Sequence, residues 1–365
     1  MDTDVVLWIV VVTALAFGFT NGFHDTANAV ATSISTRAMA PRVAVTIAAA
    51  LNFVGAFLSL AVAATIASGI VDADLITPQI VFAGLIGAIA WNLATWYFGL
   101  PSSSSHALIG GVVGAAFAAE GPKAVYGDGL LEKVVIPALV APVLAMVAAG
   151  IAILIVYRIV GRQHPGVVSR GFRLGQIISG SLFSLSHGTN DAQKTMGIMF
   201  LALVANGNLQ PSDDVPTWVI VSAASAIAAG TYVGGWRIIR TMGSRIIKMD
   251  PAQGFAAQGV GAAVILSATH VGFPLSTTHV MSGGIIGAGA AKRFSAVRWG
   301  VAGNIVVAWV LTLPAAAIVG GATYGVTRLF GTGPAGPMVV SVALLVALLW
   351  ALARIATGKT VPAEA

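Results

Sequence analysis

Apolar runs of 15 to 33 residues follow one another along almost the whole chain, separated by short polar turns. They fall at 4–36, 43–68, 79–98, 103–118, 134–157, 174–204, 216–236, 252–271, 277–291, 299–325 and 338–356. A helix crosses the hydrocarbon core of a bilayer with about 20 apolar residues. The pattern therefore predicts an all-α integral membrane protein with about 10–12 membrane segments. The runs are too long and continuous for the alternating strands of an outer-membrane barrel. The two shortest, 103–118 and 277–291, suit re-entrant hairpins as well as full spans.

Two runs are too long. Residues 4–36, as one straight helix, would reach roughly 50 Å at 1.5 Å per residue, against a core of about 30 Å. Run 174–204 has the same excess. Each holds a polar, Gly-containing cluster in its middle, which predicts a broken helix there. The first cluster reads Asn21-Gly22-Phe23-His24-Asp25-Thr26-Ala27-Asn28, the second His187-Gly188-Thr189-Asn190-Asp191-Ala192-Gln193-Lys194. They align at an offset of 166, which pairs Asp25 with Asp191 and Asn28 with Lys194.

A second duplicated pair follows. Pro101-Ser102-Ser103-Ser104-Ser105-His106 and Pro274-Leu275-Ser276-Thr277-Thr278-His279 align at an offset of 173. The copies start on opposite sides, since five crossings separate them. The chain thus reads as two inverted-topology repeats, 1–160 and 174–365, joined by a short basic cytoplasmic link, 161–173. In such folds the substrate site lies near mid-membrane, at corresponding parts of both halves.

Loop charge orients the chain. Basic residues cluster at Arg37 and Arg42, at Arg158 to Arg173, at Arg237 to Lys248, at Lys292 to Arg298, and at Arg354 and Lys359. If every run crosses once, all these clusters share one side, which is the cytoplasm. The expected localisation is a cell (plasma or inner) membrane, with the N-terminus outside and the C-terminus inside. The acidic start, Met1-Asp2-Thr3-Asp4, and the lack of a small-residue cleavage site predict that the first run is retained.

Composition narrows the function. Only 9% of residues are charged and the mean hydropathy is +0.90, against roughly 25% charged in a soluble domain. A soluble enzyme, a disordered chain and a nucleic-acid binder are excluded. Without cysteine, so are a disulfide framework and a thiolate metal site. No cofactor is expected.

The polar clusters carry the chemistry. A carboxylate at membrane depth is costly unless it is paired, binds a cation or faces water. Asp25 and Asp191 are either structural ion pairs or a site for a coupling cation or proton. Asn21, Asn28 and Asn190 add neutral oxygens that suit a hard cation such as sodium. Pro101 and Pro274 fit the first turn of new helices, which places Ser102 to Ser105 and Ser276 to Thr278 at helix N-termini. Free N–H groups, the helix dipole and hydroxyls would wrap a small oxyanion there; the alternative is simple capping. Lys194 either neutralises Asp191 or contacts the anion, and the two roles are compatible. Five of six histidines, His24, His106, His187, His270 and His279, lie in or beside these motifs. A proton role is open to them, whereas their spacing matches no closed metal set.

These residues resemble the inorganic phosphate transporter family, often called PiT. Gly22 to Ala29 and His187 to Asp191 look like its duplicated signature, and the paired Pro-x-Ser/Thr-Ser/Thr-His turns match as well. The resemblance covers essentially the whole chain. It implies a secondary symporter of inorganic phosphate, not an enzyme, working by alternating access. Carried over by position, Asp25, Asn28, Asn190 and Asp191 would serve the coupling cation. Ser103, Ser104, Ser105, Ser276, Thr277 and Thr278, with Lys194, would line the phosphate site. Where sodium-coupled members keep an Asn-containing motif in both halves, this chain has Lys194. That looks like bacterial members linked to proton coupling and to uptake of metal–phosphate. A fixed positive charge weakens sodium binding beside it, so proton coupling is the expectation and sodium coupling the alternative. The expected partners are phosphate, with or without a divalent metal ion, and the lipid bilayer; a homo-oligomer stays open. The rival readings are a sulfate permease, a divalent-cation transporter, a passive channel and an intramembrane serine hydrolase. The last lacks any set geometry between a nucleophile and its base.

Overall fold

A computed structural model describes residues 2–356, and among these no strand forms beyond one isolated bridge between Val71 and Val125. Lys359, at the far end of the expected second half, lies outside the described residues. The first series of helices is α1 (Asp2–Ser35), α2 (Pro41–Gly55), α3 (Ala61–Ser68), α4 (Pro78–Phe98) and α5 (Ser104–Glu120). A short α6 (Gly127–Leu130) runs through a π-helical turn into α7 (Ile136–Val160). The second series is α8 (Pro165–Ala205), α9 (Thr217–Val233), α10 (Trp236–Arg240, prolonged by a π-helical turn), α11 (Pro251–His270), α12 (Thr277–Lys292) and α13 (Trp299–Arg328). α14 (Ala335–Ala356) ends the described chain. The order repeats: a long helix, an interrupted pair, a helix, a short helix after a Ser/Thr turn, and a long helix.

The expected breaks at the polar clusters do not occur. α1 and α8 run unbroken through them, over 34 and 41 residues. Glycine serves there for close approach instead. A Cβ on Gly22 would overlap the backbone of Ile227 in α9, and one on Gly188 that of Asn52 in α2. The polar side chains find partners on neighbouring helices, so the backbone ladder need not open. The interruptions fall elsewhere. Run 43–68 divides between α2 and α3. α9 and α10 meet at Gly234-Gly235 with a 59° bend, and Gly234 adopts φ +74°, which favours glycine. The expected link 161–173 is helical from Pro165 onward, forming the first turns of α8.

By length and apolarity four helical stretches can cross a bilayer: Asp4–Ser35, Pro78–Phe98, Gly127–Val160 and Trp299–Arg328. The bent pair Thr217–Val233 and Trp236–Arg245 makes a fifth. This is fewer than the eleven apolar runs. Most of the remaining helices are shorter or more polar, α8 because its buried cluster dilutes its apolar length, whereas α14, at 22 residues, is as long and as apolar as α4.

Helices of the two series pack reciprocally. α5 lies against α13, and α12 against α7, through glycines (Gly110, Gly114, Gly283, Gly287) whose Cβ atoms would overlap Leu313, Ala317, Pro142 and Met146. Small residues allow such approach where lipid gives no hydrophobic drive to pair. The buried apolar residues form two clusters. One includes Val10, Phe17, Phe82, Leu108 and Met199; the other includes Val30, Val45, Ile153, Phe183 and Ile285. On α1 the change of cluster falls between Phe17 and Ala27, and on α8 between Phe183 and Ala192. The polar motifs occupy that seam.

Two outcomes follow from this packing. Gly287→Ala should lower the melting temperature of the purified protein in detergent, whereas Gly303→Ala, which meets nothing within 4 Å, should leave it unchanged or raise it, because alanine favours a helix interior over glycine by up to about 1 kcal/mol. At the start of α11, Asp250 accepts from the Gln253 amide at 2.9 Å and pairs with Lys292 at 2.8 Å. Partial burial would raise its carboxyl, but the Lys292, Gln253 and Tyr157 donors hold it below its ordinary value. The stabilisation is therefore present above about pH 3.9 and is lost as pH falls through the lowered value. Asp250→Asn, which keeps a good cap, should melt below the parent at neutral pH, and melting curves should converge on acidification.

Candidate functional site

The seam brings both polar clusters and both Ser/Thr turns together. Every expected site residue is buried, none more than 4% exposed. Ligand atoms of Asp25, Asp191 and His187 lie within 4.8 Å of one another. The conformation is closed around them.

Lys194 is wholly buried and donates to Asp191 Oδ1, to Ser105 Oγ at 2.5 Å and to the Leu275 carbonyl at 2.9 Å. All three ammonium protons are used. Asp191 Oδ2 accepts from Thr277 Oγ1 at 3.1 Å and stands 2.9 Å from His187 Nε2. His187 Nδ1 meets Asn52 Oδ1 at 3.1 Å, and Asn52 donates to Thr231 at 2.7 Å.

Asp25 sits in different company. His24 Nδ1 lies 2.8 Å from Asp25 Oδ1, which also accepts from Thr278 Oγ1 at 3.3 Å. His24 Nε2 faces Thr95 Oγ1 at 3.1 Å and Ser102 Oγ at 3.4 Å. Asn28, the counterpart of Lys194, donates to Thr277 and Thr278 at 3.2 and 2.9 Å. Asn190, the counterpart of His24, donates to Thr269 at 2.8 Å. The two halves thus place an imidazole opposite an amide, and an amide opposite an ammonium.

The Ser/Thr turns do begin helices. Ser103 caps α5 by accepting from the His106 amide at 3.1 Å, and Ser276 caps α12 by accepting from the His279 amide at 3.2 Å. These two hydroxyls are engaged as caps. The Ser104 hydroxyl and the Asn28 and Asn190 carbonyls are buried without a partner, so they remain open to a ligand. The helix starts meet at the His106 and His279 rings, 4.8 Å apart.

Asp25, His187 and Asp191 are the residues that metal chemistry would choose, but Asp191 already carries an ammonium.

Thr95, Thr269, Asn52 and the Leu275 carbonyl were missed by the sequence reading. Thr95 and Thr269 lie four and three residues before Gly99 and Gly272, the glycines that open the paired turns, so they are one position out of register in the repeat and carry no duplicated signal. Asn52 showed itself as an amide inside an apolar run.

Residues 21–320 match the phosphate transporter family. The chain belongs to that family. Over 329 residues it is 57% identical to a Mycobacterium bovis protein named "Probable low-affinity inorganic phosphate transporter", covering 90% of this chain and 79% of the relative. A Bacillus subtilis protein of the same name is 46% identical over 327 residues, covering 89% and 98%. A solved structure titled "The sodium-dependent phosphate transporter" superposes with a TM-score of 0.80 at 25% identity, covering 89% of this chain and 99% of that one. Membership places the chain among membrane transporters, not enzymes, and accounts for its all-helical architecture.

The buried ion pair has a measurable signature. Asp191→Asn and Lys194→Met should each destabilise the protein by about 3 kcal/mol or more, because each strands a buried charge. The double variant should be more stable than either single one when melting is followed in detergent.

Proposed function

We propose that this member of the phosphate transporter family is a proton-coupled symporter that moves inorganic phosphate across the cell membrane by alternating access. The observation that carries this reading is the convergence of Asp25, Asp191 and Lys194 with the N-termini of α5 and α12 in one closed site. The helix starts, Ser104, Ser105, Thr277, Thr278 and Lys194 supply donors for an oxyanion. The carboxylates accept from a protonated phosphate, which favours phosphate over sulfate.

Charge balance explains the need for coupling. Two carboxylates and one ammonium leave one net negative charge before any anion enters. A phosphate anion adds to it, and a buried excess charge is costly. A cation or a proton must therefore enter too. In the second half Lys194 occupies the cation's place permanently. In the first half Asp25 lies against the His24 ring, and Asn28 and Asn190 line the same space.

Sodium coupling is the second reading, favoured by the solved sodium-dependent relative. A divalent ion entering with phosphate as cargo would meet Asp25, His187 and Asp191. The repeats 1–160 and 174–365 would form the two transport halves, with 161–173 between them. Helices α4–α5 and α11–α12 would enter as hairpins from opposite faces, since α5 and α12, at 17 and 16 residues, fall short of a full span. By the positive-inside rule the basic loops would put the N-terminus outside and the C-terminus in the cytoplasm.

The test is uptake of labelled phosphate by proteoliposomes under an imposed proton gradient and, separately, a sodium gradient. The expected result is uptake with the proton gradient alone, and a new response to sodium in Lys194→Asn. Uptake driven only by sodium overturns the proton assignment and leaves the transporter.

A further inference from the structure

Lys194 ties together three separate parts of the chain. Its nitrogen joins α8, through Asp191, to the start of α5, through Ser105 Oγ, and to the turn 271–276, through the Leu275 carbonyl. The two far partners also meet, Ser105 Oγ lying 3.4 Å from the Leu275 oxygen. The counterpart Asn28 holds only one hairpin, at Thr277 and Thr278. Lys194 is thus a clasp between both hairpin tips, with no equivalent in the first half.

The turn it holds has somewhere to go. Val271, Phe273 and Leu275 line one wall of an apolar crevice of about 530 Å³, whose other wall is α7 at Ile136, Val140 and Leu144. The helix beyond the turn is anchored independently, because the His279 ring stacks on Trp309 at 4.1 Å. The turn is otherwise held by short-range bonds of its own, Gly272 to the Thr269 carbonyl, Phe273 to the Ala268 carbonyl and Leu275 to the Phe273 carbonyl. Asn190 adds only a 3.5 Å contact to the Phe273 carbonyl.

We infer that Lys194 is a positioning residue that makes opening of the 271–276 turn depend on the anion. The inference rests on phosphate being the substrate. A phosphate oxygen carries charge and is a stronger partner for an ammonium than a neutral carbonyl. When phosphate reaches Ser104 and Ser105, the ammonium turns from Leu275 to the anion. The Leu275 carbonyl then lacks its best donor while still buried, an unfavourable state, and the turn relaxes toward the crevice. An empty site stays clasped, and the gate opens only with cargo aboard.

Hydrogen–deuterium exchange of the amides at 271–276, followed by mass spectrometry on the full chain in lipid, reads this directly. In the parent protein saturating phosphate should speed exchange there by about tenfold, with α12 unchanged. Lys194→Gln should exchange fast without phosphate and no longer respond to it. Should that variant fail to fold, Ser105→Ala removes one partner of the clasp without changing charge. It should exchange about threefold faster than the parent before phosphate is added. Phosphate uptake is measured on the same preparation. Normal uptake with unchanged exchange in the parent, or slow exchange in both variants, overturns the clasp. Absence of phosphate uptake overturns the substrate reading itself.

Discussion

A lysine ammonium and an aspartate carboxylate, both sealed from solvent, meet at the centre of this protein. Neither charge could stay there alone. The low dielectric that makes a lone charge so costly also strengthens every bond to it. The surroundings follow from that constraint. Lys194 needs three acceptors, so a serine and a carbonyl from two turns are drawn in. Asp191 needs donors, so Thr277 and His187 close on it. Even the packing glycines serve this end, since Gly188 lets α2 approach closely enough to bring Asn52 within reach of His187.

The same constraint explains why the long helices are continuous. A break in a membrane helix exposes backbone groups that need new partners, and a protein spends such breaks where the backbone itself is the ligand. Here the polar groups that meet are side chains: two carboxylates, two amides, an ammonium and several hydroxyls. They project from intact helices into a seam between two apolar clusters. The backbone contribution comes from elsewhere, from the N-termini of α5 and α12, where free N–H groups exist without breaking anything.

Much of this was legible in the sequence. The duplicated motifs gave the pairing of Asp25 with Asp191 and the placing of Ser103 and Ser276 at helix starts, because both rest on local chemistry. The break at Gly22 and Gly188 was misjudged because a glycine at a helix crossing and one at a hinge look alike in one dimension. What separates them is the partner, Ile227 or Asn52, some 200 or 140 residues away in the chain. Length and apolarity alone pick out fewer spanning helices than there are apolar runs for a related reason. An apolar run signals burial, and burial by other helices serves as well as burial by lipid.

What remains is the inequality between the halves. Two-fold repetition supplies a site with matched faces, and matched faces alone favour no cation over another. Several paired positions break the match, among them Asn21 against His187, His24 against Asn190, Asn28 against Lys194, Ser102 against Leu275, Ser104 against Thr277 and Ser105 against Thr278. The exchange of Asn28 for Lys194 adds a fixed charge, whereas the exchanges of serine for threonine add none. In the second half the carboxylate is paired with an internal cation and accepts from its threonine, while the Asn190 carbonyl stays unpartnered. The first half keeps an unpartnered serine hydroxyl, an unpartnered asparagine carbonyl and a carboxylate shared only with an imidazole and a threonine. A duplicated scaffold thus carries a fixed positive charge beside the carboxylate of only one half, while the helix packing stays common to both.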